Sequence, residues 1–342
     1  QFGGQPFPRC RLCFLGYGEG QGYYGILAFG SVETTALGIV GNAEEFMKQR
    51  HIHWFPGHMA KAHRVIREQL KLVDVVVELL DARIPRGSAN PLLTEWTAGK
   101  QRLIVLNKAD LADPALTEEW LRYFKAQGFK AIALDSSGKK NIKPFIHRIE
   151  EAGAAKVQKL AAKGIRNHPV RAMILGVPNV GKSSLINRLL GAATVRTGDK
   201  AGVTRGQQWL KIGKSVELLD MPGVLWPRMD DQDIAILLAL TGALNDDIYD
   251  MELVIGYFLS WMREHRPQCL AERYKLELPL PAETEELLRQ IAVRRGCLRA
   301  GGIVDLEKAR RIILGELRDG KLGKLTLEFP PLQEQPTELP EE

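Results

Sequence analysis

Cysteine is scarce in this chain, and long apolar runs are absent. The four cysteines are Cys10, Cys13, Cys269 and Cys297, and only the first two are closely spaced. One Cys-x-x-Cys pair is half of a zinc-ribbon pattern; because no second pair follows it, we predict no zinc site. Scarce cysteine favours a reducing compartment, here the cytoplasm. No stretch reaches the roughly 20 apolar residues of a membrane-spanning helix, so we expect no membrane partner.

The charge balance excludes few classes of protein or partner. The chain has 342 residues, of which 45% are hydrophobic and 26% are charged, and its formal net charge is +6. This length is ample for a large core and favours two domains. The modest basic excess is compatible with a polyanionic partner, and it is equally compatible with an ordinary basic protein.

The two ends of the chain differ in composition from the middle. Residues 1–46 are rich in glycine, tyrosine and phenylalanine and show neither helical nor alternating periodicity. They fit neither a secretory signal nor a mitochondrial presequence, because glycines interrupt the apolar stretches and arginine is sparse. We expect them to be a disordered extension or a gene-start artefact. Residues 331–342 are acidic and rich in proline, which predicts a disordered tail.

Between these ends the sequence predicts an α/β domain over 47–233 and a smaller all-helical domain over 234–330. Continuous apolar runs, such as 73–81 and 103–106, are typical of buried parallel strands, and helical patterns lie between them. Strands that alternate with helices favour a doubly wound sheet with ligands at the carboxyl ends of its strands. Beyond about residue 235 only helical patterns remain, which predicts the second domain.

A complete phosphate loop lies between an apolar run and a helical pattern. Residues 176–185 read GVPNVGKSSL, so a glycine and four further residues precede Gly-Lys-Ser. Glycines let backbone N–H groups surround phosphates, the lysine reaches the β and γ phosphates, and the hydroxyl binds Mg²⁺. The alternative is a glycine-rich turn without a ligand. The predicted phosphate-binding residues of this loop are Asn179, Val180, Gly181, Lys182, Ser183 and Ser184.

A predicted guanine-binding motif comes earlier in the chain. Asn107, Lys108 and Asp110 form an Asn-Lys-x-Asp sequence directly after an apolar run. The Asp110 carboxylate would accept hydrogen bonds from guanine N1–H and the exocyclic amine, whereas adenine presents an acceptor there. We expect Asn107 to brace the base and the phosphate loop, and the stem of Lys108 to cover one face of the base. Ser136 and Ser137 resemble a loop that contacts the guanine carbonyl, but Ser-Ser-Gly is equally typical of a simple turn.

A third motif, Asp220-x-Pro222-Gly223, ends another apolar run. We predict that Asp220 supports Mg²⁺ from behind its direct ligands and that the N–H of Gly223 meets the γ phosphate. Thr204 lies between the phosphate loop and this motif and is a candidate Mg²⁺ ligand, although Gly-Val-Thr is a common triplet. The predicted magnesium site therefore consists of Ser183 and Thr204, with Asp220 behind them.

The order of these motifs is unusual for a GTPase. The phosphate loop generally comes first and the guanine-binding motifs last, whereas here Asn107 and Ser136 precede Gly176. Cutting a chain at exposed loops leaves a core intact, so a rotated chain can assemble the same site. The prediction is a circularly permuted, Ras-like P-loop GTPase domain whose last motif leads directly into the C-terminal helices.

The chain resembles the ribosome biogenesis GTPase A family of circularly permuted GTPases. The shared sequences are WFPGHMAKA, ELLDARIP, LNKAD, GVPNVGKSSLINRL, QQW, LLDMPG followed by VLWP, TGA and RGCL, spread over about 47–330. The resemblance implies a GTP-hydrolysing assembly factor that uses Mg²⁺ and promotes a late step in maturation of the large ribosomal subunit. It implies as partners the rRNA and ribosomal proteins of the immature subunit, bound in part by residues 234–330.

The resemblance also implies which residues act in hydrolysis. Ras-type enzymes carry a glutamine after the glycine of their third motif, whereas valine and leucine follow Gly223 here. The family is thought to use instead the histidine of its WFPGH turn, His58, with Phe55 as a hydrophobic gate. A structural reading, in which Trp54, Phe55 and His58 cap a helix, stays open. Asn179 matches the phosphate-loop asparagine of potassium-stimulated GTPases, which implies K⁺ as an activator.

Two other functions stay open on the sequence. In one, the chain is an rRNA-binding or ribosome-binding module in which GTP is structural; in the other, it is a mitochondrial large-subunit assembly GTPase. Permuted GTPases of the small subunit carry an oligonucleotide-binding barrel or cysteine-rich zinc segments, and this sequence shows neither. Three positions depart from the family pattern, namely Ala89, Lys139 and Met221.

Overall fold

The computed structural model describes residue 52 and the ranges 58–138, 142–165, 168–191, 208–221, 223–226 and 231–331. Of His58 and Asp220, the description covers the backbone alone. Phe55 and Thr204, two predicted site residues, lie outside the described residues, as do the predicted extension at 1–46 and residues 332–342 of the predicted tail.

A single mixed sheet organises the first part of the described chain. Its six strands have the order β3-β2-β1-β4-β6-β5. The pairs that involve β1 to β4 are parallel, whereas β5 pairs antiparallel with β6 at one edge. The strands are β1 Val75–Asp81, β2 Gln101–Asn107, β3 Lys130–Ala133, β4 Val170–Leu175, β5 Gln208–Ile212 and β6 Val216–Asp220. The predicted parallel α/β core is therefore confirmed.

Helices cover both faces of the sheet, which explains why its central strands are mostly apolar. All seven residues of β1 are buried, as expected for a strand with a helix layer on each side. Successive side chains alternate between the faces: Val76 belongs to the core that contains Ile66, and Val77 to the core that contains Phe145. The helices of this part are α1 His58–Leu70, α2 Leu92–Trp96, α3 Pro114–Ala126, α4 Lys143–Ala162 and α5 Lys182–Leu189.

From Gln232 to Arg318, the regular elements that the structure describes are helices, as predicted. Aspartates cap several of these helices, because a carboxylate at the N-cap accepts a hydrogen bond from an unpaired backbone N–H; Asp231, Asp250 and Asp305 do so. Gly242 ends the first helix with a left-handed φ of 82°, the conformation that glycine favours at this position. The helices are α6 Gln232–Thr241, α7 Met251–His265, α8 Pro267–Tyr274, α9 Thr284–Arg294 and α10 Leu306–Arg318.

After α10 the chain returns to the sheet domain as an extended segment, residues 325–328, which we call the C-terminal strap. The N–H of Leu325 donates to the carbonyl of Leu111 at 3.0 Å, and the N–H of Leu327 donates to the carbonyl of Arg83 at 2.8 Å. The Glu328 carboxylate accepts the N–H of Arg86 at 2.8 Å. The strap thus satisfies backbone groups of two loops at the carboxyl end of the sheet.

Three short elements escaped the sequence analysis: β5, α2 and α8. Among them, β5 has five residues and lies at the edge of the sheet, where one side of a strand lacks a partner and the apolar pattern is weak. The predicted domain boundaries at 46, 233 and 330 stay predictions. No helix in the described ranges is long and apolar enough to cross a bilayer.

Candidate guanine nucleotide site

The predicted motifs converge at the carboxyl edge of the parallel strands, where ligands bind in doubly wound sheets. Asp81 and Asn107 end β1 and β2 and lie opposite each other in register. The phosphate loop follows Leu175, the last residue of β4, and the end of β6 at Asp220 pairs with Ile174. Motifs that are far apart in the sequence therefore meet at neighbouring strand ends.

The glycines of the phosphate loop are required by close packing. A Cβ atom on Gly176 would lie 2.5 Å from the carbonyl oxygen of Leu79. Gly181 has a φ of 101°, and a Cβ there would lie 2.4 Å from Nδ2 of Asn107. A side chain at either position would collide with neighbouring atoms. Helix α5 begins at the next residue, Lys182, so its positive N-terminus faces the loop.

The Lys182 side chain is buried in the loop that it follows. Its Nζ donates to the carbonyl of Gly176 at 3.0 Å and to that of Val177 at 2.8 Å. These contacts hold the ammonium at the start of the loop, within reach of anions bound by the loop amides. Ser183 and Ser184, the next two residues of α5, are half-buried.

Asn107 joins the guanine motif to both other loops. Its Nδ2 donates to the carbonyl of Val180 at 2.7 Å and to Oγ of Ser136 at 3.0 Å. Its Oδ1 accepts the N–H of Ser136 at 3.1 Å. Because Asn107 is fully buried, these bonds are shielded from water and fix the relative positions of the three loops. Asn107 thus contacts the phosphate loop, whereas its predicted role toward the base stays a prediction.

The serine loop is organised by its neighbour, Asp135. Oδ1 of Asp135 accepts the N–H and the hydroxyl of Ser137, both at 2.9 Å, and the N–H of Gly138 at 2.7 Å. Although partial burial raises the pKa of Asp135, these hydrogen bonds outweigh it and lower that pKa below its ordinary value. Arg188 of α5 donates to the Asp135 carbonyl. The loop is thus a turn of the kind Asp favours, and it is also tied to the phosphate loop.

A buried carboxylate that the sequence analysis missed, Asp81, contacts the guanine motif. Oδ2 of Asp81 lies 3.0 Å from Nζ of Lys108, and Arg83 holds the same carboxylate from its other side. Although burial raises the pKa of Asp81, the two cations outweigh it and hold that pKa well below its ordinary value. Asp110 is half-buried, and burial raises the pKa of its carboxyl. A sequence signal was available, because Asp81 ends one buried strand as Asn107 ends its neighbour.

The third motif lies against the phosphate loop. A Cβ atom on Gly223 would lie 2.8 Å from Cα of Pro178 and 3.0 Å from Nζ of Lys182. The N–H of Val224 approaches the carbonyl of Gly176 at 3.3 Å. Only a residue without a side chain fits at Gly223, so its backbone is close to the lysine that is predicted to contact phosphate.

The residues predicted to bind magnesium have suitable chemistry. Ser183 offers a hydroxyl on the first turn of α5, and Asp220 ends the strand next to the phosphate-loop strand. Hydroxyl and carboxylate oxygens are the hard ligands that Mg²⁺ prefers, together with phosphate oxygens and water. The close approach of Gly223 to Lys182 leaves this end of the site compact. The residues present therefore fit a magnesium ion held between the protein and a nucleotide.

Asn179 connects the phosphate loop to the helical region. Its backbone is left-handed, with a φ of 57°, and its Nδ2 donates to the carbonyl of Gly242 at 2.8 Å. Arg318, from α10, donates to the carbonyls of Ala239 at 2.8 Å and Leu240 at 3.2 Å, just before Gly242. Predicting this contact would have required knowing that the end of α6 packs on the loop.

Helix α1 starts at His58 and is anchored beside the third motif. Nε2 of His63 lies 2.9 Å from the carbonyl oxygen of Leu225. His63 also packs against Trp96, with ring centroids 5.1 Å apart. The helix that carries His58 is therefore attached to the segment that follows Gly223.

Comparison with known proteins agrees with this geometry. A family model described as MMR_HSR1, 50S ribosome-binding GTPase, matches residues 171–250. The chain is 48% identical over 279 residues to ribosome biogenesis GTPase A of Bacillus cereus, covering 82% of this chain and 94% of that protein. It is 46% identical over 286 residues to the protein of the same name from Priestia megaterium, covering 83% and 99%.

A solved structure is similar as well. The crystal structure of GNP-bound YlqF from T. maritima matches with a TM-score of 0.55 and 29% identity, covering 79% of this chain and 98% of that one. The similarity extends over the phosphate loop, the guanine motif and the helices that follow them, and it covers nearly the whole of each relative. This chain belongs to the ribosome biogenesis GTPase A family.

Proposed function

We propose that this chain hydrolyses GTP and acts in the cytoplasm as an assembly factor that binds immature large ribosomal subunits and promotes a late step of their maturation. The observation that carries the proposal is the bonding of Asn107, which links the guanine motif, the serine loop and the phosphate loop. A buried asparagine with these three contacts is explained by one site that takes a whole nucleotide.

The proposed roles follow from the chemistry of each group. Asp110 accepts hydrogen bonds from guanine, and Ser136 and Ser137 line the side of its carbonyl. Backbone N–H groups of residues 179–184 and of Gly223 surround the phosphates, and Lys182 neutralises part of their charge. Ser183 and Thr204 would hold Mg²⁺, with Asp220 behind them. When bound, the ion would supply positive charge that offsets part of the negative charge of the phosphates.

His58 is proposed to orient the attacking water, with Phe55 as an apolar gate. Phosphoryl transfer depends mostly on positioning and charge stabilisation, so orienting water is sufficient. Support comes from the attachment of α1 beside the third motif, where the His63 ring lies 2.9 Å from the Leu225 carbonyl oxygen. A movement of the subunit against α1 could therefore reach the end of the site where the γ phosphate is expected.

Potassium is proposed to activate hydrolysis through the side-chain oxygen of Asn179. The residue is exposed at the rim of the phosphate loop, and its amide nitrogen is engaged with the carbonyl of Gly242. Because the amide nitrogen faces the Gly242 carbonyl, the oxygen of the same amide points away from that carbonyl. Amide oxygens are hard ligands suited to alkali cations.

The description of the family model, 50S ribosome-binding GTPase, supports the large subunit as the partner, and the relatives' names support a role in ribosome biogenesis. Exposed basic side chains on α1 offer a surface for rRNA: Arg64 is 84% exposed, and Arg67 of the same helix lies 5.0 Å from the centre of the Trp96 ring. An arginine over an aromatic ring presents both charge and a stacking plane, which suits single-stranded RNA. The helices of 234–330 are proposed to contribute further contacts.

The decisive experiment measures GTP hydrolysis with and without purified immature large subunits. We expect subunits to raise turnover, with Lys182→Ala inactive in both conditions and Ser183→Ala requiring more Mg²⁺. Binding of subunits without stimulated turnover would favour the alternative in which GTP is structural. Stimulation only by mitochondrial subunits would favour the organellar alternative.

A further inference from the structure

Asp81 and Lys108 form an ion pair that joins two neighbouring strand ends. Asp81 is the last residue of β1 and is in register with Asn107, the last residue of β2. Lys108 follows with a left-handed φ of 57°. Its Nζ lies 3.0 Å from Oδ2 of Asp81. The lysine of the guanine motif is therefore held at both ends, by its backbone and by its ammonium.

Arg83 fixes the carboxylate that holds the lysine. Its backbone N–H donates to Oδ1 of Asp81 at 3.0 Å, its Nε to the same oxygen at 2.9 Å, and its Nη2 to Oδ2 at 2.8 Å. The Arg83 and Asp81 side chains are only 2% and 3% exposed. A two-pronged contact of this kind sets the orientation of a carboxylate as well as its charge. Asp81 is thus a fixed anchor for Lys108.

The Asp81 carboxylate also offsets the repulsion between the positive charges of Lys108 and Arg83, which lie close together in a buried position. Burial lowers the pKa of Lys108, and the charge of Arg83 lowers it further, whereas the carboxylate of Asp81 opposes both. Without that carboxylate, Lys108 and Arg83 would repel each other and the lysine would turn toward water. The position of the lysine stem therefore depends on Asp81.

We propose that Asp81 is a positioning residue for guanine recognition, because its bond to the Lys108 ammonium holds the lysine stem where it covers one face of the base. The proposal rests on the assignment of Lys108 to the base in the proposed function. A free lysine must lose rotamer freedom when a nucleotide binds, whereas a tethered one has lost it already. Asp81 would thus raise guanine nucleotide affinity without touching the nucleotide.

The test measures steady-state GTP hydrolysis by the full chain carrying Asp81→Asn, Lys108→Met or both. We expect Asp81→Asn to raise KM about 10-fold, the loss typical of one hydrogen bond between charged groups, and to leave kcat within about two-fold. Lys108→Met keeps an apolar stem but removes the tether, so it should raise KM similarly. In the double variant, KM should not rise beyond the Lys108→Met value, because the two residues act through one contact.

Glu78→Gln is the matched control. Glu78 lies three residues before Asp81 on the same strand, is 1% exposed, and pairs with Arg102 instead of the guanine motif. Breaking this pair should lower Tm while KM changes less than about two-fold. If Asp81→Asn fails to fold, Arg83→Lys gives a second measurement, since it keeps the charge but loses the two-pronged contact and should also raise KM.

Two results would overturn the proposal. One is a KM for Asp81→Asn, or for Arg83→Lys in its place, that is no higher than that of Glu78→Gln. The other is a double variant in which the two effects on KM multiply. Asp110→Asn separates this failure from failure of the proposed function. Normal GTP affinity in Asp110→Asn would show that the motif does not bind the base. Impaired GTP affinity in Asp110→Asn, together with an unchanged KM in Asp81→Asn, would refute the tether alone.

Discussion

The side-chain amide of Asn179 donates a hydrogen bond of 2.8 Å to the main-chain carbonyl of Gly242. The first residue belongs to the phosphate loop, and the second ends the first helix of the C-terminal region. Because Arg318 binds the carbonyls of Ala239 and Leu240 in the last turn before Gly242, the contact extends from the loop to α10. A change at the phosphates can therefore reach the helices directly, without passing through the sheet.

This contact sharpens the potassium prediction. Replacing sodium with potassium should accelerate hydrolysis by the wild type, and Asn179→Ala should remove the difference. Asn179→Asp keeps a side-chain oxygen but cannot donate to Gly242, so it should lose part of the potassium response, because the hydrogen bond that directs the oxygen is gone. Asn245→Ala, which changes an asparagine just beyond Gly242, is the control. Identical wild-type rates in the two salts would exclude potassium activation.

Base selectivity should depend on Asp110. Asp110→Asn should weaken GTP binding by about 10-fold or more and favour xanthosine triphosphate, because the amide donates where the carboxylate accepts. Competition binding with the two nucleotides measures the switch. Asp319→Asn, at an exposed carboxylate that is 59% accessible, should change neither affinity. Unchanged GTP affinity in Asp110→Asn would remove this residue from the site.

Stimulated turnover should depend on His58. His58→Ala should retain binding of GTP and of large subunits, yet lower subunit-stimulated hydrolysis by about 10²-fold, within the range for a positioned acid–base group. The slow intrinsic rate should change much less. His147→Ala, at a histidine that is 67% exposed on α4, is the control. Full stimulation of His58→Ala at saturating subunits would eliminate His58 from hydrolysis.

The C-terminal strap should make stability depend on pH. Burial raises the pKa of Glu328 to about 7, from an ordinary 4.5, although the N–H groups of Gly87 and Arg86 oppose the shift. A pKa raised in the folded state means that protonation stabilises the fold; this stabilisation is complete below the unfolded pKa and is lost as the pH rises through 7. Glu328→Gln imitates the protonated form and should remove the dependence.

Thermal unfolding measures the effect. Between about pH 5 and 8, the Tm of the wild type should fall relative to that of Glu328→Gln by about 2 °C or more, the shift expected for about 1 kcal/mol in a domain of moderate size. Glu68→Gln, at a side chain that is 59% exposed, should parallel the wild type. Parallel curves for wild type and Glu328→Gln would contradict the raised pKa.

The sequence predicted what depends on local patterns. The apolar runs gave the parallel strands, the Gly-Lys-Ser spacing gave the phosphate loop, and the order of Asn107 before Gly176 gave the permutation. Two contacts near the site, the buried pair of Asp81 with Lys108 and the exposed hydrogen bond of Asn179 to Gly242, were not predicted. The contact of Asn179 depends on how helix α6 packs on the phosphate loop, and no spacing in the chain encodes that packing. Asp81 could have been found, because it ends an apolar run as Asn107 does.

The C-terminal strap has a consequence for how the protein is made. The loops that it completes, at Arg83 and at Leu111, belong to the first nucleotide motifs of the chain, whereas residues 325–328 are synthesised more than two hundred residues later. A nascent chain therefore has its proposed guanine-binding loop before it has the strap residues that donate hydrogen bonds to Leu111 and Arg83. Tight nucleotide binding should be acquired only as synthesis nears completion, so a half-made assembly factor cannot hold GTP in a finished site.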